Sequence, residues 1–480
     1  MTEQSIGKSA FRGTLWVSLD KFTTIILQFI ANLILARLLM PSDFGCIGML
    51  MIFIAVSQTI VEGGFGSALI QKEKPDQNDY STIFYWNIFL AVLLYLILFF
   101  ASPFIASFYN MPILCDVLRV LGLTLITSSF TIVQNNRLRK QLAFKKLAFI
   151  NIASYSGATI VSICMAYLGF GVWSLVVLQI LISLFTGTAL WIFAHWRPSL
   201  HFSFDSLKRL FSFGGYLLFA NILQETCKNL QGLIIGKRFT SIEMGYYAQA
   251  QKLNDVSSST LSNIIVQVMF PIYSQLQNDL EGLRNMLRRN IRIISFFTFP
   301  IMFILILIAH PLIVFLYGMK WVNSVPYFQI LCIGGLFVCL QNINYYAVAA
   351  LGKSDVLFKW SFYKWGALIL FLLVGMQWGI YGILWGIVLS SLNIFLTNAI
   401  LVSRHVRLKF IQQIKDITPL LIASIVPEIA IFSITKAIEM NIGVQILLYL
   451  SVYLILIFLF RLKIRKDIID LMLIIRHKNA

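Results

Sequence analysis

Apolar runs of roughly twenty residues, separated by short polar or Pro/Gly breaks, recur from one end of the chain to the other. They fall near 14–38, 43–70, 82–107, 112–136, 147–168, 171–194, 212–236, 242–270, 293–317, 323–350, 356–377, 380–402, 417–437 and 441–462. Each is long enough for a helix across a hydrocarbon core of roughly 30 Å. A membrane β-barrel would need alternating segments of about ten residues, and the chain has none. The pattern predicts an all-α polytopic membrane protein with about 14 transmembrane helices.

One stretch organises the rest. Residues Asn32 to Gly45 form an apolar run that reaches Arg37, breaks at Met40-Pro41 and restarts at an acidic cap on Asp43, with Gly45 two positions later. This is the signature of a helix-turn-helix joint. The joint recurs: Lys237 stands to Glu243 and Gly245 as Arg37 stands to Asp43 and Gly45, 200 residues further on. Gly171-Val-Trp173 and Gly382-Ile-Leu-Trp385 likewise each open a span after a glycine turn. The repetition predicts two homologous six-helix bundles, residues 1–195 and 212–405, joined by an amphipathic linker over 196–211. An extra helix pair over 406–465 and a basic tail over 466–480 would follow. Duplicated halves in one orientation suit a transporter whose halves rock about a central cavity.

Composition agrees with the pattern and adds orientation. The chain is 59% hydrophobic and 12% charged, with a mean hydropathy of +0.82, more apolar surface than a soluble fold can bury. Its net charge of +18 lies in short loops rather than on a soluble face, so the membrane explains it and a nucleic-acid partner is excluded. Alternate connections hold 29 lysines and arginines and the opposite loops five, which puts both termini on the cytoplasmic side. That leaves Lys21, Arg119, Lys228 and Lys252 inside spans. All six cysteines lie in or beside apolar segments without metal-type spacing and read as small core residues. The N-terminus has no short apolar region with a small-residue cleavage site, so the first helix reads as retained.

Ionisable side chains within lipid are costly and face a cavity or one another. In the first span Lys21, Thr24, Gln28 and Asn32 share a helical face beside Asp20, and in the seventh Asn221, Gln224, Glu225, Lys228 and Gln231 repeat the arrangement. Glu62, Asp116 with Arg119, Gln251, Lys252, Asn254 and Asp255, and Gln341, Asn342 and Asn344 add polar groups on other spans. Together they would line a wet, mixed-charge cavity. The substrate-binding candidates are Lys21, Gln28, Asn32, Arg119, Asn221, Gln224, Lys228, Gln231, Lys252 and Asn342; the ion-coupling candidates are Asp20, Glu62, Glu225 and Asp255. Three charges have a purely structural alternative, an internal pair at a spacing of three: Glu225 with Lys228, Lys252 with Asp255 and Asp116 with Arg119. Arg37, Lys237 and Arg238 read as interfacial anchors. Catalytic and cofactor signatures are missing: Gly352-Lys353-Ser354 lacks the earlier glycine of a P-loop, and the five histidines are scattered, so no metal or nucleotide is expected.

The order of several modest motifs carries a family resemblance. Ala36 to Gly45, Gly64-Phe-Gly-Ser-Ala-Leu-Ile-Gln71 and Ser81 to Asn87 come first. Phe211 to Gly215, Ile235-Gly-Lys237, Gly245-Tyr-Tyr247, Phe270-Pro271, Tyr317 to Trp321 and Gly352 to Asp355 follow. In this order they resemble the polysaccharide-transport branch of the MOP flippase superfamily, in particular its Wzx-type, colanic-acid-exporter-like members. The resemblance weakens after about residue 405. It implies a MOP/MATE-like fold in the bacterial inner membrane. It also implies transfer of an undecaprenyl-diphosphate-linked oligosaccharide from the cytoplasmic to the outer leaflet by alternating access. A cationic cavity suits a diphosphate, and amide and aromatic groups suit sugars. The expected partners are that substrate, membrane lipids, a coupling H+ or Na+ and a glycan polymerase, with the chain itself monomeric. A MATE-like drug antiporter and a membrane glycan polymerase or ligase are the alternative readings. The first would favour an acidic cavity, and the second a large outer loop with a catalytic cluster.

Overall fold

The computed structural model describes residues 3–63, 69, 75–194, 196–435 and 440–459. The Gly64 to Gln71 motif apart from Leu69, the linker's neighbour His195, Lys436 and the basic tail lie outside them. The described chain is helical, with no strand among these residues. It divides into two compact units, Met1–Ala248 and Gln249–Ala480, and the division falls inside a helix rather than in the 196–211 linker.

The first unit holds α1 (Glu3–Leu38), α2 (Pro41–Glu62), α3 (Gln77–Tyr109), α4 (Ile113–Leu121), α5 (Leu123–Lys140), α6 (Phe144–Tyr167), α7 (Val172–Phe193), α8 (Phe204–Arg238) and the first turns of α9 (Ser241–Gln275). Local chemistry sets their ends. Pro41 occupies the first turn of α2, where its missing N–H is no loss, and the Asp43 carboxylate accepts the Met40 N–H at 2.9 Å. Asp76 and Asp79 cap α3 reciprocally at 2.7 and 3.0 Å, and Asn110 closes it in the left-handed region. The glycine turn before α7 carries positive φ at Gly169 and Gly171, where the absent Cβ is required.

Within this unit α1 packs on α6, α2 on α8, and α3, α5 and α7 on one another. The linker is held rather than free. Trp196 donates to Gln77 at 2.8 Å and packs on Tyr80 and Phe84, Gln77 donates to the Arg197 carbonyl at 2.7 Å, and the Ser203 N–H reaches Thr82 at 3.1 Å. Ser203 then caps α8 by accepting the Ser206 N–H.

The second unit continues α9 and adds α10 (Leu280–Leu307), α11 (Ala309–Tyr317), a 3₁₀ turn at Met319–Ser324, α12 (Val325–Ala350), α13 (Ser354–Gly375), α14 (Gly379–His405), α15 (Phe410–Thr435) and α16 (Ile442–Leu459). Its centre is α12, packed on α10 and α14, while α15 lies on α10. The Tyr449 and Tyr453 hydroxyls of α16 are buried and donate to the carbonyls of Ser424 and Phe296, both at 2.9 Å. The positive-φ glycine that starts α14 is Gly379, and Gly382 packs against the Gly375 carbonyl, where a side chain would collide.

Eleven stretches among the described residues are long and apolar enough to cross a membrane, and one of them, Asp355–His405, contains both α13 and α14. The spans predicted over 212–236 and 242–270 fall on α8 and α9, which are not among the eleven. Two predicted spans are interrupted: the one over 112–136 at Gly122, between α4 and α5, and the one over 293–317 at Ile308, between α10 and α11. Outward faces are apolar in a way no soluble surface would be; Phe100 and Phe104 are 69% and 78% exposed. This is a multi-pass membrane protein. The cysteines are all free thiols, four of them buried.

Candidate functional site: the crossed joints and the polar faces beneath them

The two joints are built alike and meet. In the second, Thr240 and Glu243 form a reciprocal cap, the Thr240 N–H donating to the Glu243 carboxylate at 3.1 Å and the Glu243 N–H to the Thr240 hydroxyl at 3.2 Å. A Cβ on Gly45 would strike the Ser241 carbonyl, and a Cβ on Gly245 would strike the Pro41 carbonyl. Pro41 and Ser241 are themselves 200 residues apart, so the contact is reciprocal between equivalent positions of the repeat. One turn deeper the approach persists, with the Gly48 carbonyl 3.2 Å from where a Cβ on Gly232 would lie. Backbones this close exclude water and substrate at the joint end.

Lys237 fixes the joint from outside. Its amine donates to the Phe108 carbonyl at 2.6 Å and lies 4.3 Å from the Phe108 ring centroid, so it caps the C-terminus of α3.

Away from the joint, α1 shows two unlike faces. Phe22, Ile26 and Ile30 are exposed along one, as a lipid-facing surface requires. On the far side of the helix Lys21 and Gln28 are exposed, Thr24 is half-buried and Asn32, nearest the joint, is buried. Helix α8 repeats this. Asn221, Gln224 and Lys228 are exposed, Glu225 and Gln231 are half-buried, and Gly232 and Ile235 beyond them are buried, with Phe219 exposed on the opposite side. The stripes are thus open at one end and closed by the joint at the other.

The partners within these stripes differ from residue to residue. Asp20 accepts from Asn151 of α6 at 3.1 Å and from Thr24 at 3.4 Å, so it is tied into the first unit. Lys228 lies 3.9 Å from Glu225 while its side chain stays 67% exposed, and Asn229 donates to the same carboxylate at 3.3 Å. Glu62, exposed at the end of α2, is within electrostatic range of both Glu225 and Arg139. The fold therefore gathers two ion-coupling candidates and one substrate-binding candidate, Glu62, Glu225 and Lys228, in one region. Arg119 is not held by Asp116 among the described residues: it donates to the Ser102 hydroxyl at 3.0 Å and covers the Phe99 ring at 4.5 Å. A hydroxyl and an aromatic face take the place of the carboxylate.

The remaining candidates lie in the second unit. Lys252 and Asp255 are exposed on α9, and Asp255 accepts from Gln251 at 2.8 Å. Asn342 gives its amide to Ser262 at 2.7 Å, and Asn344 donates to Gln413 at 3.0 Å. Basic residues inside the helices of this unit find partners there as well. Arg288 and Arg292 share Asp416 of α15, at 2.7 and 3.3 Å, and Lys364 is buried in α13 with its amine over the Tyr345 ring at 5.5 Å. The sequence offers no sign of Asn151, Ser262 or Asp416 as partners, because each acts across more than 75 residues of chain.

A family model described as polysaccharide biosynthesis protein matches residues 34–326, more than half of the chain, beginning at the first joint. The chain belongs to this family. The chain is 26% identical over 363 residues to the teichuronic acid biosynthesis protein TuaB of Bacillus subtilis (strain 168), covering 74% of each chain. It is 24% identical over 395 residues to the lipopolysaccharide biosynthesis protein WzxC of Escherichia coli (strain K12), covering 81% of this chain and 80% of that one. Among solved structures, the lipid II flippase MurJ in an inward closed conformation superposes with a TM-score of 0.75 at 15% identity, over 93% of this chain and 98% of the other. An inward-facing multidrug resistance MATE family transporter of the MOP superfamily gives 0.61 at 14% identity, over 82% and 99%. These likenesses show the fold, one shared with the MurJ and MATE structures.

Proposed function

We propose that this protein is a flippase that moves a diphosphate-linked polyprenyl oligosaccharide from the cytoplasmic to the outer leaflet of the bacterial plasma membrane. The observation that carries the reading is the pair of two-faced helices. α1 and α8 each expose phenylalanine or isoleucine on one side and a lysine with amides on the other, below a joint closed by backbone contact. A lipid-facing helix has no use for a second, cationic exposed face unless that face meets water and an anionic substrate. The role of WzxC in lipopolysaccharide biosynthesis and that of MurJ as a lipid II flippase support the same substrate class.

In this reading Lys21, Lys228 and Lys252 meet the diphosphate, and Gln28, Asn221, Gln224 and Gln231 meet sugar hydroxyls. Lysine serves here as a mobile point charge, able to follow a moving phosphate where an arginine fork would fix it. Glu225, 3.9 Å from Lys228, takes up a coupling H+ or Na+ together with Glu62 as the lysine turns to substrate. In this reading both termini are cytoplasmic, which the distribution of basic loops supports, and the joint is the outer closure. Opening it means separating Gly45 from Ser241 and Gly245 from Pro41. The test is glycan display in cells depleted of their own flippase. Lys228→Ala and Lys252→Ala, present at wild-type level, are expected to lower export at least about tenfold, the scale of one lost charge-assisted contact. Unchanged export would overturn the site assignment.

A further inference from the structure

A groove of about 420 Å³ runs between α5 and α7 of the first unit, and none of the residues lining it belongs to α1 or α8. Thr127, Phe130, Ser183, Gly187, Thr188 and Trp191 line it. Its composition is misleadingly polar. Thr127 donates to Ser183 at 2.7 Å and Thr188 to the Leu184 carbonyl at 2.7 Å, so the hydroxyls are spent within the protein and the groove presents methyl groups and ring faces. From Ser183 to Trp191 it extends about 12 Å along α7 at the helical rise. The small residues Ser183 and Gly187 make the depression into which an alkyl chain can settle.

One end of the groove carries a positioned cation. Trp191 donates its indole N–H to the Phe130 carbonyl at 3.1 Å, and the Arg197 guanidinium stacks on that indole at 5.0 Å. Arg197 Nη1 donates to the carbonyls of Trp191 and Trp196 at 2.8 and 3.0 Å. Its Nε and Nη2 donors take no partner among the described residues, and the side chain is exposed. A guanidinium held flat by two carbonyls and a ring, with a donor edge left open, is prepared for bidentate binding of a phosphate. An apolar channel that runs from Ser183 to Trp191 and ends at such an arginine has the polarity of one lipid molecule at a membrane interface.

We propose that the α5–α7 groove is a binding site for an anionic phospholipid, one acyl chain lying along Ser183 to Trp191 and the headgroup phosphate on the free edge of Arg197. The site shares no residue with the candidate substrate contacts, and the proposal stands whichever glycan is carried.

Native mass spectrometry of the full-length protein in mild detergent tests it, with dioleoyl phosphatidylglycerol and dioleoyl phosphatidylcholine added in turn. One phosphatidylglycerol is expected to be retained about fivefold more tightly than phosphatidylcholine, the scale of one basic group at an anionic headgroup. Arg197→Gln should remove this preference and leave phosphatidylcholine retention unchanged. Thr188→Phe, at an exposed position, should fill the groove and lower retention of both lipids. Glycerol phosphate without acyl chains should not displace the bound lipid. Equal retention of the two lipids by the wild-type protein would overturn the proposal without reference to any variant. So would wild-type behaviour of both variants, displacement by glycerol phosphate alone, or displacement of phosphatidylglycerol by equimolar undecaprenyl phosphate, which would assign the groove to the substrate's own chain.

Discussion

Lys228 on α8 keeps 67% of its side chain exposed and holds Glu225 at 3.9 Å, whereas Arg288 and Arg292 on α10 are 27% and 14% exposed and share Asp416, itself 6% exposed, at 2.7 and 3.3 Å. Both regions put charges in helices of a membrane protein. They differ in whether the charge is matched inside the fold. The α10–α15 cluster supplies each arginine with a short carboxylate contact, so it binds the C-terminal helix pair to the second unit and has nothing left to offer a ligand. The α8 stripe has a long, exposed pair that water or a phosphate can replace at little cost. Charge count alone would have ranked these regions the other way.

The comparison can be broken most forcefully at Asp416. Asp416→Ala leaves two partly buried guanidinium groups without their carboxylate, and a loss of about 3–5 kcal/mol is expected, read as a large drop in unfolding temperature in detergent or failure to accumulate. Next comes the joint. Gly45→Val forces a branched side chain onto the Ser241 carbonyl, with an expected cost of about 1–3 kcal/mol, and Gly245→Val should match it because the contact is reciprocal. Unequal effects on unfolding temperature would argue against the two-fold equivalence of the joints. A smaller effect is expected from Trp196→Phe, which loses the hydrogen bond to Gln77 while keeping most of the ring packing, about 0.5–1.5 kcal/mol by thermal unfolding. Smallest of all on stability is Lys228→Ala, within about 0.5 kcal/mol, although it is the variant expected to lower export most. A stability loss from Lys228→Ala as large as that from Asp416→Ala would erase the distinction between the two regions.

Much of the architecture was legible in the chain because bilayer thickness imposes one length scale on every span, and the joint added a local signal strong enough to mark α1, α2, α8 and α9. Proline at the start of α2 and the acidic caps at Asp43 and Glu243 act within four residues, so sequence exposes them directly. The glycines were harder. Gly45 and Gly245 could be found by their repetition, but their purpose could not, since it depends on a carbonyl 200 residues away in the chain. The same distance effect hid the packing of Gly382 on the Gly375 carbonyl and the Asp416 partner of Arg288 and Arg292. A glycine looks alike in a turn and in a close crossing.

By itself the sequence determined that this is a helical membrane protein, that it is internally repeated, which helices carry polar faces, and to which family it belongs, because hydrophobic periodicity, capping and motif order are all local or additive properties of the chain. Only the tertiary structure decided that the repeated joints cross each other and close one end of those faces. It alone matched Arg288 and Arg292 to Asp416 and left the donor edge of Arg197 open at the mouth of an apolar groove. Those outcomes rest on contacts between residues far apart in sequence, where burial and hydrogen-bond satisfaction separate a structural charge from one available to a ligand.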